Sequence, residues 1–146
     1  MESSLRELFA KTRVYCAKQR YVIVGLKKDA QLACLLPKLG TFSSVTIEKD
    51  EISVVLRHHV WRRCQSHYQG AKVAGPYRLI GFNVTIDLDV CGYFAAISSV
   101  LTGIGVSIIP ISTYLRDYIL VSEANHKRAL LALNHFLKQQ RDAQLT

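Results

Sequence analysis

The stretch VSIIPISTYLRDYILV, residues 106–121, decides the fold because it sets a polar turn between two apolar runs. The runs 106–111 and 118–121 are aliphatic and rich in β-branched residues, which predicts two short strands. A purely structural hairpin more often turns on Asn-Gly, Asp-Gly or a glycine pair. The polar and charged turn residues here are instead Ser112, Thr113, Arg116 and Asp117. This choice of turn residues requires an explanation.

A helix is predicted before this hairpin and another after it. Apolar residues recur at three- and four-residue steps after Gly92, and Gly103 and Gly105 are expected to end the first helix. The second helix begins near Asn125, a good cap residue. Its apolar face consists of Ala129, Leu130, Leu133 and Leu137. With a strand predicted within 77–88, the second half reads strand, helix, strand, turn, strand, helix.

The first half has a similar order of predicted elements. These elements are an amphipathic helix within 3–18, a strand at 21–26, a helix at 29–40 that Asp29 caps, strands at 42–47 and 52–56, and a short helix with a loop within 57–72. The region of Pro37 and Gly40 is expected to end the helix at 29–40. Strand, helix, strand, strand is the beginning of the same pattern.

This order predicts an α+β protein with two ferredoxin-like βαββαβ modules, each incomplete, whose antiparallel sheets carry helices on one face. The expected organisation is an N-terminal helical segment at 1–19, a first module at 20–74 and a second module at 75–146. The chain ends soon after the last helix, so the second module lacks a final strand. We expect another chain to complete that sheet, or the sheet to stay short, and we expect a homodimer or larger assembly.

Composition and charge restrict the class of protein. The chain has 146 residues, of which 49% are hydrophobic and 21% charged, so it should be globular. Its net charge of +8 is spread along the chain and is expected to be solvated surface. A signal peptide and a membrane helix are not predicted, which makes a cytoplasmic location the default expectation.

Metal, cofactor and nucleic-acid sites are not favoured by the sequence. The four cysteines, Cys16, Cys34, Cys64 and Cys91, form no C-x-x-C pair. His58, His59 and His67 lack a spacing typical of metal ligands, so no metal and no cofactor is predicted. The basic cluster RHHVWRR at 57–63 leaves a nucleic-acid-binding module as an alternative, but the strands lack the aromatic pattern of RNA-recognition modules.

The run from Gly81 to Val121 resembles the C-terminal module of ACT-domain proteins related to the CASTOR arginine sensors and to small bacterial tandem-ACT proteins. The most specific part is the phrase S-T-Y, two residues, D-Y-I-L-V, found here from Ser112 to Val121. The phrase DEISVV at 50–55 resembles the N-terminal module, and the joint Gly75-Pro76 has a counterpart as well. The resemblance covers about residues 20–137.

This resemblance implies a regulatory protein that binds a small molecule, most often an amino acid, at an interface between modules or subunits. The residues implied as ligand contacts are Ser112, Thr113, Asp117, Gly92 and Ile104. A helix start attracts a carboxylate, and an aspartate can hold an ammonium group. Arg116 departs from the family phrase, which has threonine there; it could pair with Asp117 or shift the preference toward an acidic ligand.

Two other functions stay open at this point. A small enzyme could use the same pocket for acid-base chemistry with Asp117 and a histidine, although no catalytic residue can be named. A nucleic-acid-binding module is the third hypothesis, and salt-dependent binding would be its sign. The resemblance favours a non-enzymatic regulatory role.

Overall fold

The computed structural model describes residues 3–146, and the chain forms two compact units. The central unit comprises Gln19–Tyr77. The terminal unit comprises the chain up to Lys18 together with Arg78–Thr146. Two strands, β1 (Val14–Lys27) and β4 (Lys72–Phe82), pass from one unit into the other. The residues before 19 therefore fold with the residues after 77.

The central unit also contains β2 (Ser44–Ile47), β3 (Glu51–Arg57) and the helix α2 (His58–Cys64). Its strands follow the order β2-β3-β1-β4, and β3 pairs antiparallel with both of its neighbours. Successive side chains of a strand point to opposite faces, so alternate residues reach the core. Val24 lies opposite Val54, and both are fully buried. Trp61 of α2 belongs to the same core.

The predicted helix at 29–40 is wrong. The segment forms turns and a single 3-10 turn at Leu36–Lys38. Pro37 removes a backbone donor and disfavours helical geometry at the preceding residue. Only seven residues separate Asp29 from Pro37, which is too short for a helix without strong packing. Leu35 and Leu39 are nevertheless buried, so the turns still cover the core.

The terminal unit contains α1 (Ser3–Lys11), α3 (Tyr93–Thr102), β5 (Ile109–Ser112), β6 (Asp117–Ser122) and α4 (His126–Gln144). Its strands follow the order β1-β4-β6-β5. β5 and β6 form the predicted antiparallel hairpin, in which Ser112 lies opposite Asp117. The α+β fold class with antiparallel sheets and ferredoxin-like modules is confirmed.

The fourth strand in the sheet of the terminal unit comes from the N-terminal part of the same chain. Residues 14–18 form the beginning of β1, which is hydrogen-bonded to β4. The amide of Asn83 donates to the carbonyl of Arg13 at 2.7 Å, and Nη2 of Arg78 donates to the carbonyl of Ala17 at 3.0 Å. The short helix predicted within 3–18 is α1, and the residues that follow it form a strand that was not predicted. The sheet therefore needs no second chain for its fourth strand.

Aromatic side chains join α1, α3 and α4 over the sheet of the terminal unit. Phe9 stacks on Tyr93 with ring centroids 4.6 Å apart and meets Phe136 edge-on at 5.1 Å. The predicted apolar face of α4 is confirmed, since Ala129, Leu133 and Leu137 are buried in this core. None of the described helices is long and apolar enough to span a membrane.

Candidate ligand-binding site

A cavity of about 300 Å³ lies in the terminal unit where the start of α3 meets the turn between β5 and β6. The loop from Asn83 to Gly92 runs along its edge and is tied to the turn by a 2.9 Å hydrogen bond from the amide of Ile86 to the carbonyl of Leu115. Four of the five residues predicted as ligand contacts line the cavity, namely Gly92, Ser112, Thr113 and Asp117.

Hydroxyl groups organise the turn between β5 and β6. Thr113 Oγ1 donates to the carbonyl of Arg116 at 3.0 Å and accepts from the amide of Arg116 at 3.2 Å. Ser112 Oγ donates to Oδ1 of Asp117 at 2.8 Å. Hydrogen bonds from side-chain hydroxyls thus stabilise this turn, which contains no glycine. The Asp117 carboxylate retains further lone pairs that can accept from another group.

The start of α3 presents backbone donors to the cavity. Gly92 occupies the N-cap position with φ of 90°, and its carbonyl accepts the first helical hydrogen bond from Ala96 at 3.2 Å. A positive φ favours glycine because other residues are strained there. Glycine has no side chain, so no N-cap side chain accepts a hydrogen bond from the amides of the first turn. The cavity is lined by the first-turn residues Tyr93, Phe94 and Ala95. These amides and the helix dipole attract an anion.

Two charged groups of opposite sign are partly buried in the cavity wall. Arg116 and Asp117 are both half-buried, whereas Asp87 is exposed. The Nε atom of Arg116 is buried and has no hydrogen-bond partner within the described residues. Desolvated charges interact more strongly than solvated ones. Arg116 and Asp117 therefore have a stronger electrostatic effect in the cavity than Asp87.

Tyr93 connects the cavity wall to α1. Thr12 Oγ1 donates to the carbonyl of Leu8 at 2.8 Å, so the Tyr93 hydroxyl, 2.9 Å away, donates to Thr12. Thr12 is fully buried. Burial raises the pKa of Tyr93 to about 12, and the negative charge of Asp117 adds to the rise.

Ile104, the fifth predicted contact, lies beyond the other end of α3. Its amide donates to the carbonyl of Leu101 at 3.2 Å, and its carbonyl accepts from Nη2 of Arg128 at 2.7 Å. The structure therefore does not bring Ile104 together with the other four residues. Tyr93 and Asp87, by contrast, line the cavity and were not singled out from the sequence. The position of Tyr93 directly after the helix-starting Gly92 was the available signal.

Two further cavities lie elsewhere in the described residues. One of about 370 Å³ lies between α1 and the loop at 85–91 and has acidic side chains, Asp87 and Asp89, but no basic one. The other, of about 180 Å³, lies in the central unit beside Tyr68. The hydroxyl of Tyr68 donates to the carbonyl of Gln31 at 2.6 Å and lies 3.1 Å from Sγ of Cys34. Burial, followed by the neighbouring Cys34, raises the pKa of Tyr68.

The structure also bears on the metal and nucleic-acid hypotheses. Across residues 3–146, no group of three or more His, Cys, Asp or Glu side chains is arranged to hold a metal ion. Trp61, the aromatic residue of the basic cluster at 57–63, is only 4% exposed and stacks on Tyr68 at 6.0 Å. It is therefore part of the core and cannot stack on a nucleobase without unfolding that region.

Comparison with known sequences identifies one domain. Residues 75–135 match the family model for the ACT domain. The match begins within β4, includes the whole cavity at the start of α3 and ends within α4. No curated protein matches the sequence significantly.

Solved structures share the fold over most of the chain. A protein of unknown function from Vibrio cholerae, described as a possible transport protein, has a TM-score of 0.73 and 23% identity over 92% of this chain and 96% of its own. A protein from Agrobacterium tumefaciens has a TM-score of 0.70 and 22% identity over 85% and 87%. The regulatory subunit of aspartate kinase from Thermus flavus has a TM-score of 0.59 and 11% identity over 84% and 95%. These similarities show that the fold is shared, and the ACT-domain match concerns residues 75–135.

Proposed function

We propose that the chain is a regulatory protein that binds an amino acid or a related metabolite in the cavity at the start of α3. The main support for this proposal is that the start of α3, which no side chain caps, and Asp117 line the same cavity. The ACT-domain match and the likeness to a regulatory subunit of aspartate kinase favour a regulatory role. The CASTOR-like relationship remains a prediction from the sequence.

The two ends of the cavity suit the two charges of an amino acid. The amides of Tyr93, Phe94 and Ala95 would receive the α-carboxylate, as helix starts do for anions. Asp117, held in place by Ser112, would receive the ammonium group. A volume of about 300 Å³ is at the small end of the range for ligand pockets, which suits a metabolite of this size.

The proposed contacts differ in what they contribute. Gly92 permits close approach of the backbone to the ligand, and Thr113 shapes the turn through its own hydrogen bonds. Ile104 is left out of the proposed site because its backbone is engaged at the far end of α3. The cavity thus comprises contact residues and residues that position them.

Regulation would act through the connection from the cavity to α1. A ligand beside Asp117 lies close to Tyr93, whose hydroxyl bonds to Thr12 at the end of α1. Binding that favours one arrangement of Tyr93 would change the stability of α1 and of the strand that follows it. The partner or assembly that responds is then one that contacts these elements. A homodimer stays a prediction, and it no longer rests on a missing strand.

Thermal unfolding in the presence of each of the twenty amino acids tests the proposal. A ligand at 100 times its Kd should add about 2.7 kcal/mol to the free energy of unfolding. Asp117→Asn should abolish this stabilisation because the ammonium loses its partner charge. Asp142→Asn, at an exposed position of α4, is the matched control and should leave it intact. Equal stabilisation of the wild type and the Asp117→Asn variant would show that the ligand binds elsewhere.

A further inference from the structure

The cavity contains more groups that attract anions than one α-carboxylate needs. The amides at the start of α3 form one such group, and the guanidinium of Arg116 forms another. Arg116 forms no ion pair with Asp117 within the described residues, although the two are adjacent in sequence and both line the cavity. Asp117 therefore does not neutralise the charge of the guanidinium.

Resting on the proposed function, we infer that Arg116 makes the site selective for dicarboxylic amino acids, aspartate or glutamate. The start of α3 binds the α-carboxylate, Asp117 binds the ammonium group, and Arg116 binds the side-chain carboxylate. Arginine suits this role because its planar guanidinium can donate two parallel hydrogen bonds to a carboxylate. Each half-buried charge of the wall then has an opposite charge in the ligand.

The other classes of amino acid fit this wall less well. A neutral amino acid leaves either Arg116 or the helix start without an anion. A lysine or arginine ligand brings a second cation toward Arg116 in a partly desolvated cavity, where repulsion is stronger than in water. Asp87 could attract such a cation, but it is exposed, so solvent and salt screen its charge. The repulsion of a cationic ligand by the half-buried Arg116 is therefore stronger than its attraction to Asp87.

Calorimetric titration with acid and amide pairs tests the inference. The probes are L-glutamate against L-glutamine and L-aspartate against L-asparagine, with L-lysine as the cationic probe. We expect the preferred acid to bind about ten- to a hundredfold more tightly than its amide, since a hydrogen bond to a charged group has this effect. Glutarate, which lacks the ammonium group, should bind more weakly than glutamate because Asp117 then faces no cation.

Variants of Arg116 assign the selectivity to this residue. Arg116→Gln should reduce the ratio of acid to amide affinity to near one, whereas Arg116→Lys should retain part of it because the positive charge remains. Arg141→Gln is the matched control, since Arg141 is also half-buried in the terminal unit but does not line the cavity. Arg116→Lys also provides a second test if Arg116→Gln unfolds.

The possible failures can be told apart. If amides bind as tightly as acids and Asp117→Asn still abolishes binding, the inference is overturned and the proposed function stands. If the ratio of acid to amide affinity is unchanged in Arg116→Gln, another group selects the acid and the inference is likewise overturned. If none of the five amino acids binds the wild type, the inference falls, and the screen of all twenty decides whether the proposed function falls with it.

Discussion

Replacing Tyr93 with Phe should change the stability of the protein by an amount that depends on pH. The substitution removes one buried hydroxyl, which donates a hydrogen bond to Thr12 over 2.9 Å. Thr12 keeps its own bond to the carbonyl of Leu8, so no buried donor loses its partner. The loss at neutral or mildly alkaline pH is therefore that of an ordinary hydrogen bond, about 1 kcal/mol.

Above pH 10 the raised pKa of Tyr93 alters the difference in stability between the wild type and Tyr93→Phe. Its pKa rises from 10.0 to about 12 in the folded protein, so the folded state holds the phenolic proton more tightly than the unfolded state. The resulting stabilisation is complete below pH 10 and is lost as the pH rises through 10 toward 12. At pH 11 the wild type should have lost about 1.4 kcal/mol of stability from this group. Tyr93→Phe, which has no phenol to titrate, should lose none of it.

Urea unfolding at pH 9 and pH 11 measures this difference. We expect Tyr93→Phe to be less stable than the wild type by about 1 kcal/mol at pH 9 and approximately equal to it at pH 11. Other groups titrate in the same range, but they do so in both proteins and cancel in the difference. Tyr114→Phe, at a side chain that is 80% exposed, is the control and should show no difference at pH 9. A stability difference of Tyr93→Phe that is the same at both pH values would refute the reasoning.

Two further predictions concern the start of α3 and the N-terminal strand. Gly92→Ala places a side chain at φ of 90° and should lower the free energy of unfolding by about 1 kcal/mol or more. Gly103→Ala, at φ of −60°, is the control and should be tolerated. Equal losses of stability for the two variants in urea unfolding would argue against a conformational role for Gly92. A chain that starts at Gln19 lacks α1 and the fourth strand of the terminal unit, so its NMR spectrum should lose the dispersed signals of that unit. A synthetic peptide of residues 1–18 should restore those signals, and a well-dispersed spectrum without the peptide would contradict the assignment of the strand.

The hairpin and the helices beside it could be predicted because their signals are local. The apolar runs around 112–117 specify two strands, and Gly92 marks the start of α3. Three-residue and four-residue apolar spacing identifies the buried face of α4. In each case the residues that determine the element lie within or next to it.

The N-terminal strand was missed because its partner is distant in the sequence. Residues 14–18 pair with β4, which begins more than fifty positions later, and no local pattern reveals such a pairing. The apolar spacing of Leu5, Leu8 and Phe9 favoured a helix, and the sequence offered no clear signal for its end at Lys11. The helix predicted at 29–40 is absent for a local reason, because Pro37 leaves too short a segment for a stable helix.

The candidate site was partly predictable. The polar turn and the resemblance to ACT-domain proteins together predicted Ser112, Thr113 and Asp117 as ligand contacts, and the structure places them in one cavity with Gly92. Ile104 was predicted as a ligand contact from the resemblance alone, and it does not line the cavity. The sequence also could not show whether Arg116 pairs with Asp117 or faces the cavity, because that depends on side-chain direction in the folded turn.

The most direct test of the central claim is an amide NMR titration of the ¹⁵N-labelled protein with L-glutamate and with any amino acid that the thermal screen identifies. Binding at the proposed site should shift the amide signals of residues 92–95 and 112–117 first and most strongly, with smaller changes near Thr12. Shifts centred on the cavity beside Tyr68, or no shifts at saturating concentrations of the twenty amino acids, would contradict the account.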